Sequence, residues 1–188
     1  MKHMHSLEHS FLIATPSLDD GWFEKTVIYI VEDNEYGSMG LVINSPNRLT
    51  VKDLLEHFHL PIHDESEELT RQVLIGGPVD NERGFILHTP QGQWKSSMPL
   101  QDGLAMTVSE DFLEAVSEQQ APENFLVCLG FAGWEPDQLA QELQENSWIT
   151  IPYNESLLFE TPVEKRWEVA LATLGIHPSM LSTHAGNA

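Results

Sequence analysis

Short apolar runs closed by turn residues fill the first part of the chain. Apolar stripes at helical spacing lie between and after them. Ser10–Thr15 (SFLIAT), Thr26–Glu32 (TVIYIVE) and Ser38–Asn44 (SMGLVIN) are rich in β-branched residues and predict three strands. Pro16 stops the first, and Asp19, Asp20 and Gly21 supply a turn. Asp33–Gly37 (DNEYG) has hairpin-loop chemistry, which makes the second and third strands antiparallel. Gly40, inside the third strand, predicts a bulge or a close backbone approach, and Ser45-Pro46-Asn47 ends the strand.

Thr50 then caps a helix from Val51 to about Phe58, with Val51, Leu54, Leu55 and Phe58 on one face. Short strands are expected at Val73–Ile75, Arg83–Thr89 and Leu104–Val108, and another starts at Trp94. Ser109 is the expected cap of a helix from Glu110 to about Gln119, with Phe112, Leu113 and Val116 inward.

Phe125–Leu129 is unbroken in its apolar character, so both faces of that strand should be covered. Gly130 and Gly133 then predict a tight corner, and Pro136 the first position of a helix whose dipole Asp137 complements. Trp148–Ile151 is a further strand. Thr161-Pro162-Val163-Glu164 has the form of a capping box, followed by a stripe of Val163, Trp167, Ala170, Leu171 and Leu174 and a stop at Gly175. No repeat or linker divides the chain, so one domain is expected over residues 1–188, with loose ends at 1–9 and 182–188. Hairpin-like strand runs with helices between some of them predict an α+β fold with a mixed, mostly antiparallel sheet and helices packed against it.

Charge changes this picture most. The 188 residues hold 29 Asp and Glu against 9 Lys and Arg, a formal net charge of −20. Such a field repels nucleic acid and an anionic membrane face alike. The single cysteine, Cys128, cannot form an internal disulfide. No stretch approaches the ~18 apolar residues of a membrane helix. MKHMHSLEHS is too rich in histidine, and the run after it too short, for a signal peptide. A cytoplasmic protein is expected.

Chemistry is sparse. No phosphate-cradling loop, dinucleotide fingerprint, nucleophile elbow or zinc-protease helix is present. Cys128 lies within an apolar run and is expected to behave as a small hydrophobe. His57, His59 and His63 with Asp64 and Glu65 resemble a metal cluster, but Pro61 interrupts them and a solvated loop is expected; His3, His5 and His9 belong to the loose terminus. Asp80, Glu82, Arg83 and His88 follow Gly76-Gly77-Pro78. They suggest the polar rim of a site, and a hydrolase would use His88 as base with Asp80 or Glu82 as its partner. His88 is nevertheless expected at a wet or hydrogen-bonded position, and Gly77-Pro78 in a tight turn rather than an anion nest. Asn44, Gly133 and Trp134 follow predicted strand ends, where ligands are often held, although Trp134 suits the core better. The candidate binding residues are therefore Asn44, Gly77, Pro78, Asp80, Arg83, His88 and Trp134, with no catalytic residue, metal or cofactor expected.

GSMGLVINSP at 37–46, IGGPVDNERGFILH at 75–88 and LGFAGWEPDQLAQEL at 129–143 resemble the AlgH-like (YqgE) family of bacterial cytosolic proteins. FLIATPSLDDGWFEKTVIYIVED at 11–33, ENSWITIPYNESLLFE at 145–160 and RWEVALATLGI at 166–176 extend the resemblance over nearly the whole chain. It implies a strongly bent sheet that curls toward a barrel. The family is often labelled a transcriptional regulator and has no agreed biochemical activity. Phe131 stands where the family usually has Tyr, and Asn187 where it often has His, so no hydroxyl or imidazole role carries over there. The expectation is a non-enzymatic regulatory or binding protein with a protein partner or small ligand. The alternative is an enzyme with a site near Asp80–His88. A DNA-binding regulator comes third, because the charge opposes it.

Overall fold

The computed structural model describes residues 6–16, 18, 21–63, 65–92, 94–177 and 179. The fold is α+β, with a curled, mostly antiparallel sheet; among the described residues only one strand pairing is parallel. The chain forms two compact units, one from residues 1–45 and 132–188 and the other from residues 46–131.

In the first unit, β1 (Ser10–Ala14) pairs with β2 (Val27–Asn34), and β2 with β3 (Gly37–Val42) through a two-residue turn at Glu35-Tyr36. The hairpin loop is shorter than DNEYG suggested, because Asn34 and Gly37 already pair. Gly40 meets its expectation. A Cβ there would come within 2.6 Å of Ile28 Cγ2, and β2 carries a register shift between Ile30 and Glu32 opposite it. β10 (Trp148–Pro152) borders β1. Leu12, Ala14, Ile28 and Ile30 pack with Leu139 of α3 (Gln138–Gln144), while the alternate residues Phe11, Ile13, Val27 and Tyr29 are buried as well. This double burial explains the unbroken apolar runs. α5 (Arg166–Ala172) packs against β1 and β2, and α4 (Glu155–Phe159), unmarked by the sequence patterns, packs against α5.

The second unit is ordered β4 (Pro46–Thr50), β5 (Gln72–Ile75), β9 (Asn124–Trp134), β6 (Val79–Thr89), β8 (Ala105–Thr107), β7 (Ser97–Pro99), with β5 and β9 parallel. β9 gives residues 124–131 to this unit and 132–134 to the other. β4 occupies the stretch expected to be a strand-ending turn, and Trp94 precedes β7 rather than starting it. α1 (Val51–His57) begins with the expected cap. Thr50 Oγ1 accepts from Asp53 N at 3.3 Å, and Asp53 Oδ2 accepts from Thr50 N at 2.8 Å. α2 (Asp111–Ser117) buries Phe112, Leu113 and Val116 in a core with Leu54, Leu55, Ile86, Phe125 and Val127.

Several local expectations are overturned. β9 does not stop at Leu129. It runs through Gly130 and Gly133 to Trp134, because β6, β5 and β3 pair along it. Pro136 is not a first helical residue; Asp137, at φ 68°, intervenes before α3 starts at Gln138. Ser109 does not cap α2, since its hydroxyl donates to the Asp111 carboxylate. The Thr161–Glu164 box does not form either. Thr161 Oγ1 donates to Ser156 O at 3.0 Å, and Val163–Lys165 is a 3₁₀ turn. Residues 6–9 are tied to β2, with Leu7 N donating to Asp33 Oδ2 at 2.7 Å and His9 Nδ1 lying 2.8 Å from the Tyr29 hydroxyl. His3, His5, Asp19, Asp20, Asp64, Asn187 and the 182–188 tail lie outside the described residues.

Candidate functional site

Strand alternation builds the candidate site. On β6, Glu82, Gly84 and Ile86 point to one face, and on β9 their neighbours Leu129 and Val127 do the same, with Gly84 opposite Leu129 and Ile86 opposite Val127. Over this floor stand α1, with Asp53, Leu54, His57 and Phe58, and the β8–α2 connection, with Val108, Ser109, Glu110 and Leu113. Between them is a cleft of about 730 Å³, within the range of ligand sites. Its floor is apolar. Its polar edge carries the carboxylates of Asp53, Glu82 and Glu110, the Asn81 amide and the His57 ring, with no Lys or Arg among the lining residues.

Two apolar residues sit at the lip instead of in the core. Phe58, expected on the inward face of α1, is 36% exposed because the helix ends at His57 and Phe58 is its C-cap. Leu49 of β4 is 39% exposed.

The residues singled out from sequence fall elsewhere. Asp80 and Arg83 form an exposed ion pair at 3.8 Å outside the cleft lining. Asp80 is at φ 52°, where β6 shifts register between Val79 and Gly84. Arg83 lies over the Phe85 ring, 5.5 Å from its centroid, on the strand face opposite Glu82 and Gly84. The Gly77 carbonyl would face any Cβ placed at Gly130, so Gly77 is buried, close-packed backbone, while Pro78 is exposed and outside the cleft lining.

His88 corrects the hydrolase alternative. It is fully buried, with Nε2 2.6 Å from Thr107 Oγ1 and Nδ1 3.1 Å from Pro90 O. A carbonyl only accepts, so Nδ1 carries the hydrogen and Nε2 accepts from the Thr107 hydroxyl, which also lies 2.7 Å from Ser97 Oγ. Burial lowers the His88 pKa from the usual histidine value, and the ring packs beside Trp94 and Phe112. Its hydrogen-bonding nitrogens face Thr107 and Pro90, not Asp80 or Glu82.

Asn44 and Trp134 belong to the first unit. Asn44 Oδ1 accepts from Val27 N at 2.8 Å and its amide donates to Lys25 O at 2.9 Å, which closes the β2–β3 end. Trp134 is a core residue, 7% exposed, whose indole N–H donates to Glu142 Oε1 at 3.1 Å. Cys128 is buried, as expected. Among the described residues no group of three or more His, Cys, Asp or Glu is placed to hold a metal, and no helix is long and apolar enough to cross a membrane. His63 faces Glu118 at 3.6 Å and Glu65 pairs with Lys52 at 2.8 Å, so these two turn to different partners.

The AlgH-like family model matches residues 11–179. This chain belongs to the AlgH-like family. A UPF0301 protein of Hydrogenovibrio crunogenus is 60% identical over the full length of both chains. One from Shewanella sp. strain ANA-3 is 50% identical over 98% of this chain and 100% of its own. The solution structure of AlgH from Pseudomonas aeruginosa matches with a TM-score of 0.77 at 41% identity, covering 100% of this chain and 99% of that one. A crystal structure of a Corynebacterium diphtheriae protein shares the fold, with a TM-score of 0.73 at 21% identity over 97% of this chain and 94% of its own. The AlgH-like family has no established specific function.

Proposed function

We propose that this AlgH-like chain is a non-enzymatic cytoplasmic binding protein with a regulatory role, and that its binding site is the cleft between α1 and α2. The observation that carries this is the cleft itself, where Leu129 and the edges of the core residues Ile86, Val127, Leu54 and Leu113 form an apolar floor beneath an edge of polar groups. The candidate general base supports the same reading from the other side. His88 is sealed in the core, where it cannot meet a substrate. The net charge of −20 and the carboxylates of the edge disfavour phosphate-rich partners, including DNA.

Titration of the ¹⁵N-labelled chain with indole, a neutral apolar probe, tests the site. Saturable shifts are expected at residues 49–58, 81–86, 108–113 and 127–129. Gly84→Trp is the blocking variant, because an added Cβ at Gly84 meets nothing within 4 Å and the larger side chain then fills the cleft. Shifts that are absent, or that survive Gly84→Trp in a folded variant, would show that the cleft is not a binding site.

A further inference from the structure

We infer that the occupant of this cleft is a basic amphipathic helical segment of a partner protein; this rests on the binding reading above. The shape of the cleft is the first reason. Two helices wall a sheet floor, which gives the groove that receives the apolar face of a helix. Phe58, at 36% exposure, and Leu49, at 39%, are themselves lining residues and carry the apolar surface from the floor up to the lip, a span that suits a row of side chains along a helix.

Charge is the second reason. Asp53, Glu82 and Glu110 stand at the edge, and no Lys or Arg lines the cleft. Asp53 is half-committed, since its Oδ2 holds the N-terminus of α1. Glu82 and Glu110 are exposed and, among the described residues, have no ion-pair partner. A helix with Leu-like residues on one face and Lys or Arg flanking them places its apolar side chains on Ile86, Val127 and Leu129 and its cations against Glu82 and Glu110. The net charge of −20 steers the same partner from a distance and repels acidic helices.

Fluorescence anisotropy of the full chain at physiological ionic strength tests this with two labelled peptides. One is an amphipathic Leu/Lys helix, and the other has the same apolar face with Glu replacing Lys. The Leu/Lys peptide should bind saturably, and the Leu/Glu peptide about tenfold or more weakly. Gly84→Trp should abolish binding of the Leu/Lys peptide, and the Glu82→Gln/Glu110→Gln double variant should narrow the gap between the two peptides. Both glutamates are exposed, so the double variant keeps the fold and the test does not depend on Gly84→Trp alone. Equal binding of the two peptides would overturn the inference, as would Leu/Lys binding that survives Gly84→Trp. Indole shifts at the cleft without peptide binding would also overturn it, leaving a small-ligand site. Silence from indole and both peptides would sink the cleft reading itself.

Discussion

Gly130→Ala tests how the backbone around the cleft is built. Gly130 sits inside β9 at φ 77°, a conformation that costs an L-residue about 1–2 kcal/mol. A Cβ there would also meet the Gly77 carbonyl oxygen, with Val79 O at 3.0 Å and Asn81 Cα at 3.1 Å. All three are backbone atoms, Gly77 in the β5–β6 connection and Val79 and Asn81 at the start of β6, and cannot rotate away as a side chain would. Overpacking of this kind adds about 1–3 kcal/mol. The expected loss is therefore about 2–5 kcal/mol.

Gly103 separates the two causes. It lies in the same unit at φ 78°, but an added Cβ meets nothing within 4 Å, so Gly103→Ala should cost only the conformational part, about 1–2 kcal/mol. Guanidinium denaturation of both variants, with slopes compared as well as midpoints, measures the difference. Equal losses would refute the packing account. Asn81 lines the cleft, so Gly130→Ala should also shift the Asn81 and Glu82 amide signals more than Gly103→Ala does.

Burial holds the His88 pKa below its ordinary value. Between the ordinary histidine pKa of about 6.5 and this lower folded value, the unfolded chain binds a proton that the native chain does not, so stability is full above that window and falls as pH drops through it, by at most about 1.4 kcal/mol per pH unit. Denaturation from pH 7.5 to 5 (roughly the window in which histidines titrate) should show a shallower fall in His88→Gln, and an identical slope would refute the assignment. In the first unit, Glu142 Oε1 accepts from the indoles of both Trp134 (3.1 Å) and Trp148 (2.9 Å). Glu142→Ala strands two N–H donors on largely buried rings and should cost about 2–4 kcal/mol with a change in tryptophan emission, while Glu142→Gln, which still offers an oxygen, should cost less. A loss below about 0.5 kcal/mol for Glu142→Ala would show that water replaces the carboxylate fully.

Features that depend on neighbours within a turn or a strand were legible from residue type and spacing. The Thr50–Asp53 cap, the double-buried runs of β1 and β2 and the close approach at Gly40 follow from residue type and spacing, as do the α+β class and the family resemblance. Tertiary structure decided what depends on residues far apart in the chain. Gly130 looked like a corner because glycine weakens a strand locally, yet three partner strands carry β9 through it to Trp134. Thr161 had the right spacing for a capping box, but its hydroxyl found Ser156 O instead. The site shows the divide most sharply. Of the acidic and basic group at 80–88, only Glu82 lines the cleft, because alternation sends Arg83 to the other face and the core takes His88. The expected strand at Arg83–Thr89 held Gly84 and Ile86 but left Glu82 outside it, and β6 in fact begins at Val79. That these three meet Val127 and Leu129 beneath Phe58 and Glu110 follows from strand register and helix placement, which are set by long-range pairing and burial rather than by local pattern.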